Sequence, residues 1–232
     1  MVSHRFEKEK QILEIKFKKA KYKIYLNLIG KIQVKNILMA IIAANNSGIE
    51  FKKILKILPR ITSVEGRLEK IGKIHNNSKV ILDYAHTPAA LESALSNLKE
   101  QFPLNKINLI FGCGGDRDFK KRSLMGKIAE KYSNEIYLTD DNPRNEKPFE
   151  IRNEIKKGIK NKRIHEISDR KKAIQEAVKN LKTGDILLVA GKGHEKIQDY
   201  GKKRTFFSDQ KVILSSIRAK NKFLSKNIKL TI

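Results

Sequence analysis

Four short stretches hold most of the residues in this 232-residue chain that could do chemistry: DYAHTP (83–88), GCGGDRD (112–118), TDDNPR (139–144) and AGKGHE (190–195). Arginine offers a planar, bidentate fork for carboxylate or phosphate. Aspartate and glutamate suit ammonium groups or sugar hydroxyls, and glycine lets the backbone come close to a ligand. Each stretch also has a plain structural reading. In DYAHTP, Thr87 is an N-cap candidate and Pro88 a first-turn helix residue, which leaves Asp83 and His86 over. Arg117, flanked by two aspartates, is either an anion clamp or half of a surface ion pair. GKGHE is only half of a phosphate-cradling pattern. Asp140 and Asp141 are adjacent, and in extended chain they point opposite ways, which argues against their sharing a metal ion. Cys113 has no neighbouring base motif and reads as a small packing residue. His75 and His165 read as surface or strand histidines.

These stretches matter because of what precedes them. VILDYA, INLIFG, EIYLTD and DILLVAG are short apolar runs, and helical stretches separate them about every 30 residues. That alternation predicts βαβ units and a mostly parallel sheet with helices on both faces. In such sheets ligands bind outside the carboxyl ends of the strands, and the four stretches follow those ends. RIHEIS (163–168) reads as a further strand. SDQKVILSSI reads as a closing helix N-capped by Ser208, with a basic tail beyond Arg218 that frays. Together the loops predict a crevice for a polar ligand carrying both carboxylate and ammonium groups, such as an amino acid.

The first 65 residues read differently. Residues 11–29 alternate apolar and lysine positions as an antiparallel hairpin does. VKNILMAIIAANNSGI (34–49) is apolar nearly all round and reads as a buried helix ending in glycine. FKKILKILP reads as a short helix ending at Pro59, and a boundary falls near Gly66. One hairpin and two helices make a small core, as expected of the tail of a larger domain.

Composition excludes little else. The chain has 50 Lys+Arg against 25 Asp+Glu, a formal net charge of +25. That would suit a polyanion, so a basic nucleic-acid-binding module is an alternative reading. The lysines are spread evenly, however, with no aromatic-interleaved stripe, and a solvated lysine-rich surface is the plainer account. A single cysteine excludes an intramolecular disulfide and suits a reducing compartment. No apolar run reaches membrane-spanning length, and the expectations are a cytoplasmic location, no membrane or nucleic-acid partner, and a monomer.

The ordered set VILDYAHTPAALESAL, FGCGGDRDxxKRxLMGxIAE, TDDNPR and LLVAGKGHE closely resembles the Mur ligases, specifically their diaminopimelate-adding type, from about Leu28 to Ile217. The resemblance implies ATP-dependent amide bond formation in peptidoglycan synthesis. ATP phosphorylates the D-glutamate carboxylate of UDP-muramoyl-dipeptide, and an amine of meso-diaminopimelate displaces the phosphate. It implies a Rossmann-like C-terminal domain at 66–232 and, at 1–65, an α+β remnant of the central ATP-binding domain. It assigns Arg117, Asp141, Asn142, Pro143, Arg144, Gly191 and Glu195 to diaminopimelate, and Asn36, Arg67, Asp83 and His86 to ATP. It assigns no catalytic or metal residue here, since ATP and Mg2+ belong mainly to the family's central domain. Gln33 stands where relatives often show asparagine. No G-x-x-x-x-G-K-[ST] occurs in these residues, so the expectation is a truncated chain that is inactive alone. Folate-adding and cyanophycin-making ligases are related alternatives, which DNPR disfavours.

Overall fold

The computed structural model describes residues 2–7, 9–160 and 163–229. The chain forms two compact units, Met1–Val64 with Asn97–Pro103, and Glu65–Ser96 with Leu104–Ile232.

In the first unit, strands β1 (Ser3–Glu7), β2 (Lys10–Phe17) and β3 (Ala20–Leu26) form an antiparallel sheet. The predicted hairpin is β2–β3, turning through Lys18 in the left-handed region (φ 54°). β1 is an addition, because the charged residues of its SHRFE run hide the strand. Leu13, Ile15, Ile24 and Leu26 pack against Val34, Ile37 and Ile41 of helix α1 (Ile32–Asn46) and Phe51 and Ile54 of α2 (Phe51–Ile57). Pro59 lies inside a 3₁₀ turn, Leu58–Arg60, that continues α2. α1 is not buried all round as its composition predicts. Only one face meets the sheet, and Met39 and Ile42 are 69% and 59% exposed. Past its end, Gly48 takes φ 86°, as a C-terminal glycine should.

The second unit is a six-stranded sheet in the order β4-β5-β9-β6-β7-β8. Its strands are β4 (Glu69–Lys70), β5 (Lys79–Asp83), β6 (Ile107–Phe111), β7 (Glu135–Leu138), β8 (Ile164–Glu166) and β9 (Ile186–Ala190), and only the short edge strand β4 runs antiparallel. Five helices accompany it: α3 (Pro88–Gln101), α4 (Lys120–Tyr132), α5 (Pro148–Lys156), α6 (Arg170–Asn180) and α7 (Asp209–Lys229). Val80, Leu82, Ile110, Tyr137, Leu187 and Val189 meet Ile174, Ala177 and Val178 of α6 and Ile213 and Ile217 of α7. The alternate residues Ile81, Leu109, Phe111, Ile136, Leu138 and Leu188 are just as buried, so the opposite face is covered too. Burial on both faces explains why these strands read as unbroken apolar runs.

Thr87 and Ser208 act as expected at helix starts, accepting from the amides of Ala90 and Lys211. The basic tail departs from expectation, since α7 continues to Lys229; the last predicted tail residue, Leu230, lies outside the described residues. A hairpin of β10 (Ile197–Asp199) and β11 (Arg204–Phe206), invisible in a polar lysine-rich stretch, follows GKGHE. No helix among the described residues is long and apolar enough to cross a membrane.

Candidate functional site

Register brings the four stretches together. Asp83 pairs with Ala190, Ile110 with Val189, Phe111 with Leu138, and Leu138 with Glu166. The parallel strands therefore stop nearly level, and five successive loops leave from one edge of the sheet. Between them lies a cavity of about 590 Å³, lined among others by Tyr84, His86, Arg117, Asp141, Asn142, Arg144, Gly191 and Glu195. That volume falls in the usual small-molecule range of about 300–1,000 Å³.

One end of the cavity is cationic. Arg144 sits in the left-handed region (φ 52°), its amide donates to the Asp199 carbonyl (3.0 Å), and its Nη1 donates to the Gly115 carbonyl (2.7 Å). The DNPR and GCGG loops are stapled together. The Gly115 amide donates to the Asn142 carbonyl (2.9 Å), and buried Pro143 brings its carbonyl so close to Gly115 that no side chain would fit there. Arg122, buried on α4, reinforces the staple by donating to Glu146, Glu154 and the Gly114 carbonyl. Arg117 is exposed and donates to the Asp116 carbonyl, not to a carboxylate. Asp116 instead accepts from Asn145, and Asp118 from the Lys120 amide. Among the described residues Arg117 makes no ion pair, so both guanidiniums keep donors for an incoming anion.

The other end is acidic. Glu195 accepts from Tyr84 Oη on Oε1 (3.3 Å), and from Asn142 Nδ2 and Lys192 Nζ on Oε2 (3.2 Å each). Asp141 lies deeper. Its Oδ2 is buried without a hydrogen-bond partner, 4.0 Å from Nη1 of the fully buried Arg170, which is likewise unpartnered. The rest of Arg170 is committed, with Nε and Nη2 on Asp209 (2.8 and 2.7 Å) and Nη2 also on the Ala190 carbonyl. Burial pushes the Asp141 carboxyl above its ordinary range, while Arg170 and Lys192 pull it down. With Asp141 ionised, the cluster of Arg170, Lys192, Asp141, Asp209 and Glu195 sets two cations against three carboxylates, a balance that favours a ligand cation. Gly191 (φ 112°) closes this end, and a Cβ there would lie 2.8 Å from Asp141 Oδ2.

Three of the residues proposed for ATP, Arg67, Asp83 and His86, lie around Tyr84. Asp83 accepts from the amides of Leu68 and Ala85 (2.8 Å each), which partly offset the burial that raises its pKa. Arg67 lies over the Tyr84 ring at 5.0 Å, and exposed His86 bonds the Tyr84 carbonyl beside the cavity. Asn36 belongs to the first unit, where its amide donates to Gln33 (3.1 Å). Asp140 points away from Asp141, toward Arg152 and Tyr200. No group of three or more His, Cys, Asp or Glu that could hold a metal ion occurs among the described residues. Cys113 is buried 3.6 Å from the Met125 sulfur, and burial pushes its thiol up to about 12. His165 bonds Glu135 and stacks on Tyr137.

Sequence reasoning missed Lys192, Arg170, Arg122 and Tyr84. Among 50 Lys+Arg, nothing local marks three cations as buried. The one usable signal is the glycine on either side of Lys192, which lets the loop fold back over it.

The fold and site define a class: an α/β domain covered on both sheet faces, whose carboxyl rim holds a cavity with guanidinium at one end and carboxylate at the other. A family model described as "Mur ligase, glutamate ligase domain" matches residues 66–193, and the chain belongs to that family. It is 45% identical over 199 residues to the UDP-N-acetylmuramoyl-L-alanyl-D-glutamate–2,6-diaminopimelate ligase of Rickettsia felis, covering 84% of this chain and 37% of that protein. The enzyme of the same name from Buchnera aphidicola is 47% identical over 195 residues, covering 84% and 38%. A solved structure of a ligase of that name superposes with a TM-score of 0.73 at 34% identity, covering 94% of this chain and 45% of that one. The chain thus spans about two fifths of the length of these curated relatives.

Proposed function

We propose that this chain supplies the amino-acid-binding part of an ATP-dependent ligase that adds meso-diaminopimelate to UDP-N-acetylmuramoyl-L-alanyl-D-glutamate. One observation carries the reading: Arg117, Arg144, Asp141 and Glu195, from three separate loops, line a single cavity. Diaminopimelate has a carboxylate and an ammonium group at each end. The guanidiniums pair with carboxylate, and the acidic cluster holds the ammonium of the centre that does not react. Arg144 answers the distal carboxylate that diaminopimelate has and lysine lacks, so it also sets specificity. The other amine attacks the acyl phosphate made from the D-glutamate carboxylate and ATP; the new C–N bond forms as the C–O bond to phosphate breaks, and the amine loses a proton.

In this reading residues 1–65 belong with an ATP-binding domain and 66–232 with the amino acid. Arg67 and His86 have side chains open to a nucleotide, whereas Asp83 is already engaged. ATP and Mg2+ act at a phosphate-cradling loop that these 232 residues do not contain, so the chain alone binds and does not catalyse. It works in the cytoplasm as a monomer, without nucleic-acid or membrane partners. Titration calorimetry with meso-diaminopimelate and L-lysine tests the reading. Wild type should bind diaminopimelate about tenfold or more tightly, and Arg144→Ala should erase that preference. Equal affinity of the wild type for both would sink the specificity argument, and binding of neither the whole reading.

A further inference from the structure

Lys192 is a fully buried lysine beside the cavity that the proposed chemistry leaves unused. Its side chain is fully buried, and its three partners come from separate points along the rim: Asn142 Oδ1 (2.9 Å), Glu195 Oε2 (3.2 Å) and the Ile197 carbonyl (2.7 Å). The three ammonium protons are matched by these three acceptors, so nothing is left to reach the ligand. Removing an ammonium group from water is costly, and only a fully paired geometry repays it.

The consequence falls on its neighbours. Asn142 Oδ1 receives both Lys192 Nζ and the Asp199 amide (3.0 Å), which fixes which way the Asn142 amide faces and directs its Nδ2 at Glu195. Glu195 Oε2 then has two donors, leaving only Oε1, shared with Tyr84, for a further hydrogen bond from the cavity. We propose that Lys192 is a positioning residue: it locks the DNPR and GKGHE loops together through Asn142 and Glu195, so that one carboxylate oxygen is presented to the ligand's ammonium group. This rests on the amino-acid-binding reading above. It is an arrangement in which a buried partner holds the contacting groups before the ligand arrives.

A double-mutant cycle separates positioning from general support of the fold. Lys192→Met keeps the length of the stem and removes the charge; Glu195→Gln removes the group through which Lys192 is argued to act. Calorimetry with meso-diaminopimelate, alongside thermal melts, is run on the wild type, both single variants and the double variant. Lys192→Met should weaken binding about tenfold or more in the wild-type background and by less than about twofold in the Glu195→Gln background. Equal losses in both backgrounds would overturn the proposal, as would no loss in either. If Lys192→Met does not fold, Lys192→Gln, which keeps a donor in place, enters the same cycle with the same criteria. A wild-type chain that does not bind diaminopimelate sinks the functional reading and this proposal with it, whereas a binding wild type with additive variants sinks this proposal alone.

Discussion

The two ends of the cavity are built on different principles. At the cationic end the guanidiniums of Arg117 and Arg144 lean on main-chain carbonyls and keep most donors free. At the acidic end Asp141 and Glu195 rest on Arg170 and Lys192, both fully buried and, in Arg170's case, tied to a fully buried Asp209. Arg117, long and exposed, can adjust to a carboxylate without costing the fold, because its charge remains solvated when the site is empty. A buried carboxylate has no such freedom and needs counter-charges in place beforehand. The acidic groups are therefore fixed in advance, whereas at the cationic end Arg117 is left free to adjust.

Mutation can break that contrast, most forcefully at the buried end. Arg170→Met strands the Asp209 carboxylate and the Ala190 carbonyl in the interior, and should lower unfolding free energy by about 3–5 kcal/mol in urea titrations. A loss under about 1 kcal/mol would mean the acidic end is not prestressed in this way. Gly191→Ala forces a side chain onto an unfavourable backbone and into Asp141 Oδ2. The expected cost is about 1–3 kcal/mol in the same assay, together with loss of ligand binding.

The smallest effect is the most discriminating. Burial raises the Asp141 carboxyl above its usual 3.8, so the folded protein holds that proton more tightly than the unfolded chain. The stability it contributes is complete below about pH 4 and is lost as pH rises through the raised folded value. Asp141→Asn should therefore match or slightly exceed wild-type stability at neutral pH and lose that advantage in acid, read from melting temperatures at pH 7 and pH 4. Ligand binding should move the opposite way. Wild-type affinity for an amine should climb as Asp141 ionises, and the Asn variant should lack that climb.

Much of the fold and of the cavity lining is legible in the sequence. Strands β5, β6, β7 and β9 are buried on both faces and so read as unbroken apolar runs, and the glycines and charged residues that follow them stand out against those runs. Arg117, Asp141, Arg144 and Glu195 are visible on those grounds, Asn142 and Gly191 through the family resemblance, and all six line one cavity. Strand β1 and the β10–β11 hairpin are not visible, because their charged residues mask the period-two pattern. The outward face of α1 was misjudged because composition reports what a helix would prefer to bury, and Met39 and Ile42 find no cover within their own unit. Asp83 looked like a free carboxylate because a sequence does not show main-chain amides converging on it. Lys192 and Arg170 escaped for the same reason in reverse, since a buried cation and a solvated one are spelled alike.

The lone sulfhydryl at Cys113 has a practical corollary. Shielded against Met125 and held protonated by its apolar surroundings, it stays silent toward alkylating dyes while the protein is folded. Reporter groups can thus be attached through new cysteines anywhere around the rim, with the native sulfur contributing no background signal.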